Sequence, residues 1–223
     1  MVEAITTKRF HELVPGDTWH RVYGGATAYF ATGSFDKGVE FVRAIAELAD
    51  AANHHPDVDL RYPGVTVRLM THEISDLSER DAALAAQISH AASRLGIEAD
   101  PTLIGTVQLA IDAVDIPLVL PFWEAALGYQ RRGEGSLRDP RGIGPSVWFQ
   151  QMDAPRPQRN RIHLDLALPR ALAQQRIDAA VAAGGRIATD AFAPHWWTLA
   201  DPEGNEIDIA PWVDDTDWDD EEE

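Results

Sequence analysis

Cysteine is absent from this 223-residue chain, which excludes disulfides and thiol nucleophiles from its stability and its chemistry. Long apolar runs are missing as well. No stretch approaches membrane-spanning length, and Met1-Val2-Glu3-Ala4-Ile5-Thr6-Thr7-Lys8 lacks the apolar core of a signal peptide, so a soluble cytoplasmic protein is expected. Basic residues are scarce, 19 against 36 acidic, and the net charge of −17 argues against nucleic acid or an anionic membrane as partner. Much of that charge sits in residues 214–223, where eight of ten side chains are acidic; such a segment repels itself and buries too little to fold alone, and only Trp218 offers it an anchor.

What the chain does contain is histidine in an unusual grouping. His54, His55 and His72 fall within nineteen positions, and histidine is the side chain that titrates nearest neutrality, so proton transfer without a metal or a covalent nucleophile is indicated. From Phe35 onward, Val39, Val42, Ile45, Ala46 and Ala49 recur at helical spacing, predicting an amphipathic helix that Asn53 and Pro56 terminate. His54 and His55 are therefore expected at the C-terminal end of a helix, where the partial negative charge favours an imidazolium. Val65, Val67 and Leu69 share one face of a predicted strand, and His72 falls in the opposite phase with Thr66, Arg68 and Met70. Ser78-Glu79-Arg80-Asp81 reads as the capping start of a second helix carrying Leu84, Ala85, Ile88, Ala91 and Leu95 on its inner face. Taken singly, each histidine reads as a surface residue and Asp81 as a first-turn acid beside the positive helix end; together they read as a site.

At these residues the chain resembles the pterin-4a-carbinolamine dehydratases, over roughly positions 1 to 97. The family signature runs acid, three residues, His, His or Asn, Pro, a gap, an aromatic, nine residues, His or Trp, a gap, Asp; here Asp50, His54, His55, Pro56, Tyr62, His72 and Asp81 meet it. Trp19, Tyr29-Phe30 and Phe35 also stand where the family places aromatics. The resemblance implies dehydration of 4a-hydroxytetrahydropterin to quinonoid dihydropterin by histidine acid/base chemistry with no dissociable cofactor. It implies His54 and His72 as the proton-transfer pair, His55 as an orienting group or a sharer of the base role, and Asp50, Asn53, Pro56, Thr71 and Asp81 as residues that bind the pterin or fix a histidine tautomer. It also implies self-association. Where the family usually has Gly-Leu-Thr before the final Asp, this chain has Asp76-Leu77-Ser78, which adds a charge near the site.

Residues 98–103 have the composition of a linker, and beyond them the pattern becomes a weak repeat. A strand over 107–112, a helix over 117–127 closed by Gly128 and a strand over 146–152 are followed by a strand over 161–168, a helix over 170–183 closed by Gly184-Gly185, and strands near 196–200 and 206–209. Two βαβββ units in tandem follow. Phe122-Trp123-Glu124-Ala125-Ala126-Leu127-Gly128-Tyr129, His163-Leu164-Asp165-Leu166 and Asp201-Pro202-Glu203-Gly204-Asn205-Glu206-Ile207-Asp208 resemble the glyoxalase-like, vicinal-oxygen-chelate family over roughly 104 to 213. By position that resemblance implies a divalent-metal set of Gln108, His163 and Asp208, with a fourth ligand near Phe149 to Gln151 where no charged side chain stands. A small-molecule pocket lined by Trp148, Trp196 and Trp197 is the expectation that competes with it.

The fold expected is α+β: an antiparallel sheet packed by helices over 1–97, joined by 98–103 to a tandem βαβββ domain over 104–213, with an acidic tail at 214–223. Two other functions fit the sequence. The second domain could carry a metal-dependent lyase, isomerase or dioxygenase, or the whole could be a non-catalytic dimerisation protein. Retention of the full histidine set favours catalysis, since an adaptor has no need of it.

Overall fold

The computed structural model describes residues 2–23, 25–155 and 162–211. Arg161, at the head of one expected strand, and the acidic segment with Trp218 lie outside them. The chain forms two compact units, Met1–Thr106 and Val107–Glu223. Among the described residues no helix is long and apolar enough to cross a membrane.

The first unit comprises α1 (Thr7–Leu13), β1 (His20–Val22), β2 (Gly25–Ala31), α2 (Phe35–Ala52), β3 (Asp57–Arg61), β4 (Gly64–Leu69), α3 (Glu79–Arg94) and β5 (Glu98–Ala99). The strands make one antiparallel sheet in the order β1-β2-β4-β3, with β5 also pairing β2. Strand alternation sends Val65, Val67 and Leu69 into the core, where Phe41 and Ile45 of α2 and Leu84, Ala85 and Ile88 of α3 lie in the same cluster. Trp19, Phe30 and Phe41 form an edge-to-face aromatic chain through that core, with centroids 6.1 and 4.9 Å apart. The Trp19 indole satisfies its N–H on Ser89 Oγ at 2.9 Å.

Two expectations are corrected here. Of the stripe expected to face inward on α2, Ile45 and Ala49 are buried and Val42 packs against the core, but Phe35, Val39 and Ala46 are exposed, and Gly38 and Phe41 complete the buried face. The face is rotated part of a turn from the expected one, to where Phe41 reaches Phe30 and the Cβ-less Gly38 lets Leu60 of β3 come close. Residues 98–103, expected as a linker, are pinned to the sheet instead: β5 pairs with β2, the Asp100 amide donates to Tyr29 O, and Pro101–Leu103 forms a 3₁₀ turn capped by Asp100.

The second unit is a structural repeat. Its first module runs β6 (Gln108–Ala113), α4 (Ile116–Leu127), β7 (Gln130–Arg131), β8 (Ser136–Arg138) and β9 (Ser146–Gln151). Its second runs β10 (Leu164–Leu168), α5 (Arg170–Ala182), β11 (Arg186–Thr189), β12 (Trp197–Ala200) and β13 (Glu206–Pro211). Strand orders are β6-β9-β8-β7 and β10-β13-β12-β11, each with a parallel pair between the module's first and last strands. Gly128 ends α4 at φ 68°, the left-handed geometry that glycine adopts without steric cost.

A single apolar core serves both modules, drawing Val119, Phe122 and Trp123 from α4 and Leu199, Ile207 and Ile209 from the second sheet. The loop after β12 locks them together. Asp201, fully buried, accepts from Trp123 Nε1, while the Glu203 carboxylate accepts from the Val114 and Asp115 amides at 2.7 and 2.6 Å. Asp139 anchors the β8–β9 loop. Burial alone would raise its carboxyl, but amides of Gly144 and Arg141 and the Arg141 guanidinium donate to it and hold it at about 2.

Candidate functional site

The site in the first unit is built where α2 ends and α3 begins. Asn53 takes a left-handed conformation at φ 45°, closing α2 with its N–H on Ala49 O and Asp50 O, and the chain turns so that His54 enters the core while His55 remains outside. At the other side Ser78 caps α3 in a capping box with Asp81. Asp81 is fully buried and accepts four hydrogen bonds: His54 Nε2 at 2.8 Å on Oδ1, then Thr71 Oγ1 at 2.6 Å, the Ser78 amide at 2.7 Å and Ser78 Oγ at 3.2 Å on Oδ2.

A carboxylate only accepts, so Nε2 of His54 carries a proton and, in the neutral ring, Nδ1 is left as the basic nitrogen. Nδ1 has no protein partner among the described residues. The first-turn acid of a helix and the orienter of an imidazole are thus the same side chain. Asp81 serves both roles because its two oxygens face different groups.

The remaining candidates divide. Thr71 joins the buried network; His72 is its chain neighbour, with its Cα about 3.8 Å from that of Thr71, but it is exposed. It does not lie on a strand, as expected, because β4 ends at Leu69 and the isolated bridge between Thr71 and Asp76 closes a tight turn through residues 72–75. His55 Nε2 and Asp50 Oδ1 form a separate exposed pair at 2.9 Å. Asn53 acts through its backbone, Pro56 is half-buried and Tyr62 is exposed. Asp76, the departure from the family pattern, accepts from Arg21 Nη2 at 2.6 Å, so its charge is answered from β1. Ser78 belongs to the network though the sequence suggested only a cap; the Ser-x-x-Asp spacing was the available signal.

In the second unit the expected metal set divides between the modules. Gln108 Nε2 donates to Ser146 Oγ at 3.1 Å, Phe149 is buried in the core, and Gln151 donates to Val114 O and Met152 O. None of the expected first-module positions therefore supplies a charged ligand. In the second, His163 Nδ1 lies 2.8 Å from Asp165 Oδ1 and 3.2 Å from Asp208 Oδ2, and Asp208 Oδ1 is buried without a hydrogen-bond partner. A nitrogen and carboxylate oxygens converging beside an unsatisfied oxygen fit a divalent cation. Of the three tryptophans expected to line a pocket, Trp148 is exposed. Trp196 stacks on Phe192 and Trp197 packs on the core, whereas a cavity of about 390 Å³ is lined by Trp123, Leu109, Ile111, Leu164 and His163.

Fold and site together define a fusion: a sheet-and-helix unit presenting a carboxylate-held imidazole, followed by a βαβββ tandem. Known proteins agree with that division. The family described as pterin 4 alpha carbinolamine dehydratase matches residues 3–91, and that described as glyoxalase-like domain matches residues 108–210. A provisionally assigned pterin-4-alpha-carbinolamine dehydratase of Herpetosiphon aurantiacus is 42% identical over 67 residues, 30% of this chain and 70% of that protein. One of Thermomicrobium roseum is 39% identical over 80 residues, 36% of this chain and 84% of its own. The crystal structure of a transcriptional coactivator/pterin dehydratase from Brucella melitensis aligns with TM-score 0.38 and 27% identity over 40% of this chain and 99% of that one. The chain belongs to the pterin-4a-carbinolamine dehydratase family through its first unit and carries a glyoxalase-like domain as its second.

Proposed function

We propose that the first unit dehydrates a 4a-hydroxytetrahydropterin to the quinonoid dihydropterin. The observation that carries this is the buried bond from His54 Nε2 to Asp81, which fixes one tautomer and leaves Nδ1 as a base. Nδ1 of His54 takes the N5 proton; a second imidazole donates a proton to the C4a hydroxyl, which leaves as water. Electrons from the N5–H bond form the new N5–C4a double bond, so no redox partner or cofactor is needed. His72 is the proton donor in this reading, since Thr71 ties its turn to Asp81, and His55 with Asp50 orients the polar edge of the pterin. Self-association and a cytoplasmic location accompany this reading as proposals drawn from the family and the composition.

The full chain incubated with chemically generated carbinolamine, with quinonoid dihydropterin followed by absorbance, is the direct test. Acceleration that falls in His54→Ala and His72→Ala is expected. A rate equal to buffer, or undiminished in both variants, overturns the proposal.

A further inference from the structure

The turn that carries His72 needs support from outside itself. Its backbone bonds run from the Thr71 amide to Asp76 O, the Ile74 amide to Thr71 O and the Ser75 amide to His72 O, at 3.0, 3.2 and 3.2 Å. Ser75 stands in it at φ 54°, a left-handed geometry that a residue with a side chain keeps only where its surroundings impose it. Packing imposes little here, since His72, Glu73 and Ser75 are all exposed.

Side chains anchor both ends of the turn. At its first residue Thr71 Oγ1 donates to Asp81; at its last, Asp76 Oδ1 accepts from the Leu77 amide at 2.8 Å and from Arg21 Nη2 at 2.6 Å. Register brings Arg21 there. It pairs with Ala26 of β2, which pairs with Leu69 at the end of β4, so the three side chains lie on one face of the sheet, the face on which Ala26 and Leu69 are buried. Arg21 and Asp76 are each 35% exposed, and a short charge-assisted bond between half-covered groups holds its geometry. The other pair on this turn, Glu73 with Arg80, stands 3.6 Å apart in solvent, where such pairs hold little.

We propose that Arg21 is a positioning residue for the dehydration: through Asp76 it fixes the turn that presents His72 to the substrate, so its loss lowers turnover and leaves binding in place. The inference rests on the role of His72 as proton donor in the function proposed above. A donor must come within about 2.6–3.2 Å of the hydroxyl that leaves, and an exposed imidazole on a loose turn is seldom there. Thr71 alone would leave the turn hinged at its first residue; the ion pair at Asp76, with a partner 55 positions away on β1, removes that hinge.

The test uses the full chain, with amide exchange at Ile74 and Ser75 read by NMR beside steady-state dehydration of chemically generated carbinolamine. Arg21→Met keeps the reach of the side chain and removes its charge; exchange at both amides should rise about tenfold or more and kcat fall about tenfold or more, with KM within about twofold. Arg21→Lys should recover most of both. Asp76→Asn, which keeps an acceptor for the Leu77 amide, should fall as Arg21→Met does, and the double variant no further than either alone. Arg61→Met breaks an exposed pair with Asp59 on β3 and should change neither readout. A parent chain that does not accelerate dehydration removes the reading of the site and this role with it. A parent that turns over while Arg21→Met matches its kcat, raises KM alone, loses kcat at unchanged amide exchange, or adds its loss to that of Asp76→Asn overturns the role of Arg21 only.

Discussion

Asp81→Asn separates positioning from mere folding, because the two carboxylate oxygens face different partners. Oδ2 accepts from the Ser78 amide, Ser78 Oγ and Thr71, while Oδ1 accepts from His54 Nε2. An asparagine that keeps its oxygen on the cap turns its NH₂ toward His54, and two donors cannot share that bond. The ring must then place its proton on Nδ1, the nitrogen assigned as base, and the catalytic function is lost with the side-chain volume unchanged. Loss of a charge-assisted hydrogen bond costs about 1.5–3 kcal/mol and weakening of the cap up to about 1 more, so a fold loss of roughly 2–4 kcal/mol is expected. Against a general-base contribution of about 10²–10⁴, the rate should fall by that factor while KM changes little. Urea denaturation, steady-state dehydration kinetics and nitrogen NMR of the His54 ring measure the three quantities. A variant that turns over at the parental rate, or retains the Nε2–H tautomer, refutes the reasoning.

Three further outcomes follow from the same geometry. His55→Ala should leave stability within about 0.5 kcal/mol, since its pair with Asp50 is exposed on both sides, so any fall in turnover reads on substrate handling. Phe41→Ala should cost about 3–5 kcal/mol in chemical denaturation, because the ring is fully buried against Phe30 and Ala opens a cavity. Asp139→Asn should destabilise the second unit by about 2 kcal/mol at neutral pH, following from about 1.4 kcal/mol per pKa unit. The Asp139 carboxyl is lowered on folding from 3.8 to about 2, so its stabilisation is complete above pH 4 and disappears as the pH falls toward 2. Denaturation midpoints that differ equally at pH 7 and pH 2 would contradict that sign.

The sequence showed those parts of the fold that periodicity and end signals encode locally. Ser78 with Asp81, Asn53 with Pro56, and Gly128 marked helix ends that the structure places within a residue or two, and the repeat spacing disclosed two βαβββ modules. What it could not show were choices made by tertiary partners. Phe35 and Phe41 are both apolar on the same helix, and only the position of Phe30 decides which is inside. His72 alternates correctly with Thr66 and Arg68, yet the Thr71–Asp76 bridge ends the strand before it. The identity of Asp81 as the partner of His54, 27 positions away, is a long-range fact with no local trace. Asp165 carries no local signal of its own, because its proximity to Asp208 exists only once the parallel register of β10 and β13 is set.

Glu203 and Asp201 make the repeated halves of the second unit interdependent. The backbone amides that begin α4 find their acceptor on a carboxylate about ninety positions downstream, so a half expressed alone would leave that helix entrance and the Trp123 indole without acceptors. The duplicated strands are thereby free to diverge in what they present, as the contrast of Trp148 with Asp208 shows, while this clasp obliges both copies to unfold in one cooperative transition.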